Sequence, residues 1–370
     1  DTKKALEGAD VTYTTGDSTK LPLDPVEPYT PPAPQPCAPG ALVITQAVMD
    51  AAIQGTNASL VISQPGTTVC FTEDVVAHLR DSNPMQNVTN AFAITVRADN
   101  VRIDLNGHKL SIPGSVLPVE YVAVAIANFD GHGLKVENGI IEGIAGDNSG
   151  RFLNGIAIGG HPLTYASWGG TTVGHIIRNV YLKDISGTAL YIQNATENYI
   201  YDNEIHGGVF SVRLNGVSDS YVQDNDIVCR SDISADTRGI YVVNGQRVRV
   251  ERYAKGNTIS NCLDGIYLAG GSELTVYKNA VLNAYQSPTT SAMIVVNNVT
   301  GVNVDNNYMQ DGEDGIRTHG AVLGSGSQYV NNSFCRIQPY FATNFMPGVP
   351  WNVLVKNNVD VCGGGTPPTN

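Results

Sequence analysis

The sequence predicts an all-β solenoid, the parallel β-helix, and three features of its repeats predict this fold. A six-residue phrase at Ile200–Ile205 returns in altered form at Val222–Ile227 and Val276–Val281, about every 22 to 32 residues. An apolar alternation often led by Gly, as at Gly265–Leu268, runs between these phrases. Each unit therefore holds short period-2 strands and a turn, and it must stack on its neighbours because it cannot bury its apolar face alone.

The third feature is an Asn that recurs at a constant phase of the repeat. Stacked coils would place these side chains in a column whose amides hydrogen-bond from coil to coil. At ~4.8 Å per coil, the predicted stack of ten coils would be roughly 50 Å long. An antiparallel sandwich would explain the alternation but not the constant phase. The marker residues are Asn106, Asn138, Asn179, Asn203, Asn225, Asn257, Asn279, Asn307, Asn332 and Asn358.

Changes in composition divide the 370 residues into four predicted segments. Residues 1–36 are rich in Thr and Ser and then in Pro, which favours an extended arm over packed structure. An ordered arm of this kind needs a surface to lie on, and a neighbouring subunit is the predicted one. The N-terminal cap and first strands occupy residues 37–95, the β-helix residues 96–362 and a C-terminal tail residues 363–370.

A short helix is predicted to cover the open end of the first coil, because terminal repeats of a solenoid must be capped. Thr45 is its predicted N-cap, and the helix is expected to end near Gly55. Val48, Ala51 and Ala52 are expected on its apolar face. The strands predicted next, on either side of a Pro-Gly turn, are Leu60–Ile62 and Thr68–Phe71.

The charge of the chain limits its partners. A formal net charge of −12 and a pI near 4.9 argue against nucleic acid, whose phosphates require a basic surface. The same charge disfavours an anionic polysaccharide unless a cation mediates the contact. No apolar run reaches the ~18 residues that span a bilayer, so membrane insertion is not expected. If the protein is secreted, a leader preceding Asp1 has been removed.

Six cysteines fall into three pairs of sequence neighbours. Several connectivities are open to six cysteines, but Cys229 and Cys262 lie about one coil apart, which favours pairing between neighbours. Zinc binding is the alternative, and neither a Cys-x-x-Cys motif nor a His cluster supports it. Disulfides would indicate an oxidising compartment. The predicted disulfides join Cys37 to Cys70, Cys229 to Cys262 and Cys335 to Cys362.

Parts of the sequence resemble secreted right-handed parallel β-helix proteins of the pectin-lyase-like superfamily. These parts are two Asn- and Gly-containing segments and, before them, the Cys-containing segments that would form the capped start of the β-helix. The resemblance covers about residues 37–362 and implies a right-handed, single-stranded β-helix. The superfamily includes lyases, hydrolases, epimerases, phage tailspikes and proteins with no known catalysis, so the activity stays open. The catalytic phrases of its enzymes are mostly missing. The resembling segments are Ala98–Leu110, Gly131–Ile140, Cys37–Gly40 and Pro65–Thr72.

Four carboxylates on two successive repeats form a candidate calcium site. Asp202 and Glu204 flank one Asn of the series, and Asp224 and Asp226 flank the next. Stacking in phase would bring these like charges close together, which is costly unless a cation bridges them or a proton is held. The alternatives are solvated turn acids partly balanced by Arg178, and a carboxylate pair for glycoside hydrolysis.

A second candidate site follows from two acidic residues that precede Gly-Ile at the same phase. These are Asp264 and Asp314, and the second is followed by Arg317 and His319. An Arg and a His beside acids can serve as a general acid–base site. Turn chemistry alone also explains both aspartates.

Two functions follow from these observations. The preferred one is an extracellular structural subunit that binds copies of itself head to tail, through the β-helix ends and the N-terminal arm. The alternative is a polysaccharide lyase, hydrolase, epimerase or glycan-binding protein, with Tyr191, Tyr241 and Tyr267 lining a groove. No cofactor is required, and calcium is the candidate ion. Five sequons compatible with an extracellular or cell-surface glycoprotein are at Asn57, Asn87, Asn194, Asn298 and Asn331.

Overall fold

The chain folds as a stack of parallel strands. In the described part, no helix has both the length and the apolar character needed to cross a bilayer. Strands from successive coils pair in parallel, which confirms the predicted β-helix. The computed structural model describes residues 29–55, 58–79, 90–112, 122–144, 152–230, 237–284, 291–319, 327–337, 354–356, 358–360 and 362.

Ten successive coils each contribute one strand to a ten-stranded sheet. A row of parallel strands in the other sheet passes through twelve levels of the described stack, from Leu42–Ile44 to Leu354–Lys356, two more than the predicted ten coils. The register of the ten-stranded sheet aligns one inward residue of each strand in an apolar column, to which Ile240, Ile266 and Ile294 belong. The strands, in both chain and spatial order, are Leu60–Ile62, Asn90–Val96, Val122–Asn128, Phe152–Ile158, Thr188–Gln193, Phe210–Asn215, Arg238–Gln246, Asp264–Ser272, Ala292–Asn297 and Asp314–His319.

The other walls of the stack form a 21-stranded sheet, to which most coils contribute two short strands separated by a bend. Two further strands, Thr172–Val173 and Ala195–Thr196, pair beside the stack. The 21 strands are Leu42–Ile44, Thr68–Phe71, Val75–Val76, Arg102–Asp104, Lys109–Ser111, Lys135–Glu142, Ile176–Ile185, Tyr199–Tyr201, Glu204–Gly207, Tyr221–Gln223, Asp226–Val228, Arg249–Glu251, Thr258–Ser260, Thr275–Tyr277, Ala280–Leu282, Asn303–Asp305, Tyr308–Gly312, Gln328–Val330, Ser333–Ile337, Leu354–Lys356 and Val359–Asp360.

Close packing inside the stack explains why Gly leads the apolar phrase. Ile266 is fully buried, and Gly265 before it lies against the next coil. A Cβ at Gly265 would be 2.2 Å from Cγ1 of Val281 and 2.6 Å from the carbonyl oxygen of Met293. A larger residue here would therefore force the coils apart.

The predicted column of asparagines forms in the second half of the chain. Each side-chain Nδ2 donates to the Oδ1 of the next Asn at 2.7–3.0 Å, and it also donates to a backbone carbonyl of an earlier coil. The column thereby satisfies backbone groups at the bends, where the strand ladder is interrupted. Its members are Asn203, Asn225, Asn257, Asn279, Asn307, Asn332 and Asn358.

The first three marker residues do not join this column, which corrects the prediction. The register places Asn179 opposite Asp202, one residue before the column. Asn106, Asn138 and Asn179 have φ of 51°, 63° and 50°, a left-handed conformation that Asn tolerates better than most residues. Asn therefore recurs for two physical reasons at adjacent positions, and the repeat pattern did not separate them.

The N-terminal cap matches the predicted boundaries. The helix Gln46–Gln54 begins at the N-cap Thr45, whose side chain accepts from the backbone N–H of Val48, and it ends at Gly55. Met49 and Ile53 are buried, and Val48 and Ala52 of the predicted apolar face also pack against the core. Ala51 is exposed, so its place on that face was predicted wrongly. The two strands predicted after the helix have the predicted bounds.

All three predicted disulfides are present, and the described cysteines include no free thiol. Cys37 to Cys70 joins the end of the N-terminal arm to the first coil, with the Cα atoms 5.9 Å apart. Each of the other two closes a loop between successive coils, with Cα atoms 5.0 Å apart. The disulfides therefore tie the arm and two coil junctions covalently to the stack.

The described end of the arm, residues 29–36, lies on the stack of its own chain. The backbone N–H of Tyr29 donates to Glu204 Oε2 at 2.6 Å, and its hydroxyl donates to the carbonyl oxygen of Asn179 at 2.8 Å. Gln35 and Asn106 exchange two hydrogen bonds of 2.8 and 2.9 Å. These contacts hold residues 29–36 on their own chain, while residues 1–28 lie outside the described residues, so contact of the arm with a neighbouring subunit stays a prediction.

Gly107 lies where the arm packs closely against a bend of the stack. Its φ is 81°, and a Cβ at this position would lie 2.2 Å from the carbonyl oxygen of Pro32. Any side chain would push the arm away from the bend beneath it.

Candidate functional site

The outer face of the ten-stranded sheet concentrates aromatic and charged side chains. Alternate residues of each strand point outward, so the parallel register builds outward columns. Tyr191, Tyr241 and Tyr267 share such a column, as predicted, and Arg213 lies between the first two. We call this surface the arginine–tyrosine face. It comprises Phe210, Arg213, Arg238, Tyr241, Asp264, Tyr267, Asp314 and Arg317.

Arg213 lies among three aromatic rings. Its guanidinium carbon is 3.7 Å from the ring centroid of Tyr165, 4.8 Å from that of Phe210 and 5.0 Å from that of Tyr241. The residue is 8% exposed, and its Nε has no hydrogen-bond partner. Buried charges are normally paired, yet Arg213 forms no ion pair with any residue that the structure describes. The face therefore holds a positive charge that the surrounding described residues do not neutralise.

Arg238 and Asp264 continue the face on the next coils. The guanidinium carbon of Arg238 is 4.8 Å from the ring centroid of Tyr241 and 4.5 Å from that of Tyr267. Its Nε is 3.2 Å from Asp264 Oδ2, whereas Asp264 Oδ1 is buried without a hydrogen-bond partner. Burial raises the pKa of Asp264 from 3.8 to about 6, and the attraction of Arg238 and Arg317 offsets this only in part. Such a carboxyl can hold a proton close to neutral pH.

Asp314 lies in the same outward column as Asp264, two strands further along. Because adjacent strands are about 4.8 Å apart, their backbones are about 10 Å apart. Arg317 donates to Asp314 Oδ2 at 2.6 Å and to the carbonyl oxygen of Ser291 at 3.0 Å. Three residues of the predicted acid–base site thus share one face. His319 ends the same strand, but its side chain lies outside the described part.

The loop after strand Phe152–Ile158 covers one end of this face. Trp168 stacks on Phe129 with ring centroids 4.4 Å apart, above a buried apolar patch that includes Tyr191. Tyr165 of the same loop is 38% exposed and places its ring over the Arg213 guanidinium. The loop therefore buries the first tyrosine of the column and completes the aromatic surroundings of the arginine.

The four carboxylates predicted to hold calcium do not form one group. Asp224 accepts hydrogen bonds of 2.6–3.1 Å from the backbone N–H groups of residues 253–256, and both of its oxygens are used. Asp202 lies at a turn with φ of 54°, and burial and the charge of Asp224 raise its pKa. A calcium site built from all four would require Asp224 to lose these bonds. Both residues lie at turns, but Asp224 is 2% exposed and is therefore not one of the solvated turn acids that the alternative predicted.

Glu204 and Asp226 lie side by side on adjacent strands, and His206 completes a cluster with them. His206 Nε2 is 3.0 Å from Glu204 Oε1, and its Nδ1 is 2.9 Å from the hydroxyl oxygen of Tyr181. Burial raises the pKa of both carboxyls, to about 6 for Asp226, and lowers that of His206. The imidazole is therefore neutral at physiological pH.

The sequence of these coils matches a family model described as a right-handed beta helix region. The match covers residues 166–359, which is more than half of the chain. The chain belongs to this right-handed beta helix family. Both the arginine–tyrosine face and the cluster around His206 lie within the matched region. No curated protein sequence matches this β-helix protein.

Three solved structures are similar to this β-helix. The Dettilon tailspike protein is 14% identical, with a TM-score of 0.40, and the alignment covers 83% of this chain and 66% of that one. The mannuronan C-5 epimerase A-module of Azotobacter vinelandii is 13% identical, with a TM-score of 0.38 and coverages of 89% and 97%. The DFA-IIIase of Arthrobacter chlorophenolicus is 14% identical, with a TM-score of 0.39 and coverages of 82% and 66%.

Sequence reasoning missed four residues of these clusters: Phe210, Arg213, Arg238 and His206. Counting along the repeat would have found both arginines. Arg213 occupies the same position of the repeat as Tyr241, and Arg238 occupies the same position as Asp264. Alternation also predicts that His206 faces outward, since it lies two residues after Glu204 on one strand. Tyr165 reaches the face from the loop after strand Phe152–Ile158.

The sequons of this β-helix differ in accessibility. Asn298 is exposed at a turn. Asn194 Nδ2 donates to Ser167 Oγ at 3.3 Å, and Asn331 Nδ2 donates to Asp305 Oδ1 at 3.0 Å. Asn57 and Asn87 lie outside the described residues. Glycosylation at the five sequons stays a prediction.

Proposed function

We propose that this protein binds an acidic polysaccharide along the arginine–tyrosine face. The observation that carries the proposal is Arg213, a buried cation that forms no ion pair within the described ranges. A carboxylate or sulfate group of a sugar would neutralise it through charge-assisted hydrogen bonds. Tyr241 and Tyr267 supply rings against which sugar rings pack.

The acidic character of the whole chain does not exclude this ligand. Salt at physiological concentration screens exposed charges beyond about 8 Å, so groups at contact distance dominate the interaction. On this face three arginines accompany two aspartates, and one of these aspartates has a raised pKa. The local charge is therefore opposite in sign to the formal net charge of −12.

The same face supports hydrolysis of the bound chain. Asp264 can act as general acid because its pKa is about 6, and Asp314 would act as the base that activates water. Their backbones are about 10 Å apart, which leaves more room between them than the ~5–5.5 Å between the carboxyls of retaining glycosidases. We therefore propose hydrolysis with inversion as the reaction.

Binding to matched charged and uncharged glycans tests this function. Titration calorimetry with oligogalacturonate and with its methyl ester is expected to show a preference for the acid. Arg213→Ala is expected to weaken binding of the acid about 30-fold, because charge-assisted hydrogen bonds contribute about 2 kcal/mol. The matched control is Arg249→Ala, since Arg249 packs 5.8 Å from the Tyr221 ring on the other sheet. Equal affinity of the Arg213 variant and the parent chain would contradict the proposal.

Assays for new reducing ends separate hydrolysis from binding. Asp264→Asn is expected to keep the affinity for the acidic glycan and to abolish product formation. Product formation by this variant at the parent rate would show that Asp264 is not the general acid. It would not contradict the proposed glycan binding.

An extracellular or cell-surface location is part of the proposal. Three disulfides support an oxidising compartment, because such bonds persist where thiols are not kept reduced.

End-to-end association is the second candidate function. Strand Leu42–Ile44 pairs with Thr68–Phe71 on one side, and its other edge has no partner among the described strands. Leu42 and Val43 on this strand are 38% and 40% exposed, and an unpaired edge of this kind favours pairing with another chain.

Light scattering and electron microscopy over a concentration series test this association. Val43→Lys is expected to keep the protein monomeric where the parent chain forms filaments. A variant that lacks residues 1–28 tests the contribution of the arm to association separately from that of the strand edge. Residues 29–36 are kept in this variant because they lie on the stack of their own chain. Monomeric parent protein at all concentrations would reject the idea.

A further inference from the structure

We infer that Glu204, His206 and Asp226 bind one transition-metal ion of the zinc class on the outer face of the 21-stranded sheet. This surface is a different wall of the stack from the arginine–tyrosine face. The inference therefore does not depend on glycan binding, and its experiment succeeds or fails separately.

The three donors converge from two adjacent coils. Glu204 and His206 are two residues apart on one strand, so both point outward, and Asp226 is the register partner of Glu204 on the next strand. One donor atom from each residue lies within 4.8 Å of the other two. Small side-chain rotations close this triangle to the spacing of ligands that are each about 2.1 Å from a zinc ion.

Asp226 provides an independent indication of a bound cation. It is 8% exposed, and its carboxylate makes no hydrogen bond or ion pair with any residue in the described part of the chain. Lys255 attracts it only through space. A buried carboxylate without partners is costly, and a metal ion between Asp226, Glu204 and His206 would supply the missing positive charge.

Neighbouring groups orient the other two donors. Tyr181 lies 2.9 Å from His206 Nδ1, which directs Nε2 toward Glu204, where a metal ion would replace the proton between Nε2 and Oε1. The backbone N–H of Tyr29 occupies Glu204 Oε2, which leaves Oε1 facing the imidazole. Hydrogen bonds of this kind to the far side of a ligand are typical of metal sites.

The chemistry of the donors selects the metal. Calcium takes six to eight oxygen ligands, whereas this cluster offers one imidazole nitrogen and two carboxylates. Zinc accepts three nitrogen or carboxylate ligands and completes its shell with water. The site thus replaces the predicted set of four carboxylates by two of them and a histidine.

Metal titration of the full chain, stripped with a chelator, tests the inference. Calorimetry with zinc chloride is expected to show one site per chain, and cobalt chloride is expected to give the visible absorption of nitrogen and oxygen ligands. Asp226→Asn and His206→Gln are each expected to weaken zinc binding at least tenfold. Asp226→Asn removes no hydrogen bond, so the variant is expected to fold. The matched control is Glu142→Gln, a carboxylate on the same sheet that already pairs with Lys109 and Lys183.

Three results would overturn the site. They are less than one equivalent of zinc bound to the parent chain, unchanged zinc affinity in both ligand variants, and tighter binding of calcium than of zinc at Glu204 and Asp226. Circular dichroism of each metal-free variant separates loss of the ligand from loss of the fold. If Asp226→Asn does not fold, His206→Gln alone decides the question.

Discussion

Replacement of Asn225 by Ala is expected to lower the free energy of unfolding by about 4 kcal/mol, because several buried polar groups lose their partners at about 1–3 kcal/mol each. Asn225 is fully buried, and its Oδ1 accepts from the backbone and side-chain N–H groups of Asn203 at 3.1 and 2.9 Å. Its Nδ2 donates to the Ile200 carbonyl oxygen and to Asn257 Oδ1 at 3.0 and 2.9 Å. Alanine leaves these groups without water or partners. Urea unfolding measures the loss.

Asn303→Ala is the matched control for this substitution. Asn303 also belongs to a short strand of the 21-stranded sheet, but its side-chain Oδ1 is buried without a hydrogen-bond partner. Because alanine removes this unpaired oxygen and breaks no hydrogen bond, its replacement is expected not to lower the free energy of unfolding. Equal losses for Asn225→Ala and Asn303→Ala would mean that the column contributes little to the stack.

Replacement of Asp264 by Asn is expected to stabilise the protein at pH 7.5, by an amount on the order of 2 kcal/mol, and to leave it unchanged near pH 3.5. The pKa of Asp264 is raised from 3.8 in the unfolded chain to about 6. The folded state therefore holds the proton more tightly, and the stability associated with the carboxyl is lost as the pH rises through 6. Asparagine mimics the protonated form and avoids this loss. Urea unfolding at both pH values measures the difference.

Asp311→Asn provides a control of opposite sign. Arg336 donates to both oxygens of Asp311 and lowers its pKa, so the ionised form is favoured by folding. Neutralising Asp311 is expected to reduce stability at pH 7.5, and only slightly, because the pair is exposed. A loss of stability at pH 7.5 for Asp264→Asn as well would show that its pairing with Arg238 outweighs its burial.

Residues with perturbed pKa values cluster at functional sites. Burial raises the pKa of Asp264 on the arginine–tyrosine face, where Arg213 is also buried without a described carboxylate partner. Two buried charges on one face are thus incompletely neutralised by the described residues. An anionic group of a ligand would pair with Arg213.

The sequence was sufficient to predict the structural features whose physical cause repeats from coil to coil. Alternation at period 2 predicts which residues face inward, and the constant phase of the repeat predicts the column through Asn225 and the alignment of Tyr241 with Tyr267. Local chemistry predicts the N-cap Thr45, and one-coil spacing predicts the disulfide between Cys229 and Cys262. These features depend on neighbours that the repeat itself specifies.

Only the tertiary structure decided which residues of the repeat are contacted by the loops and the arm that interrupt it. The position of Asp224 in the repeat predicted a ligand of the calcium site. In the structure its carboxylate instead accepts hydrogen bonds from the four backbone N–H groups of the loop at residues 253–256. Tyr165 covers Arg213 from a loop, and Tyr29 brings the arm onto Glu204. Loop paths depend on contacts between residues far apart in sequence. The sequence by itself therefore determined the stack and its columns, whereas long-range packing decided which side chains on those columns remain free to bind a ligand.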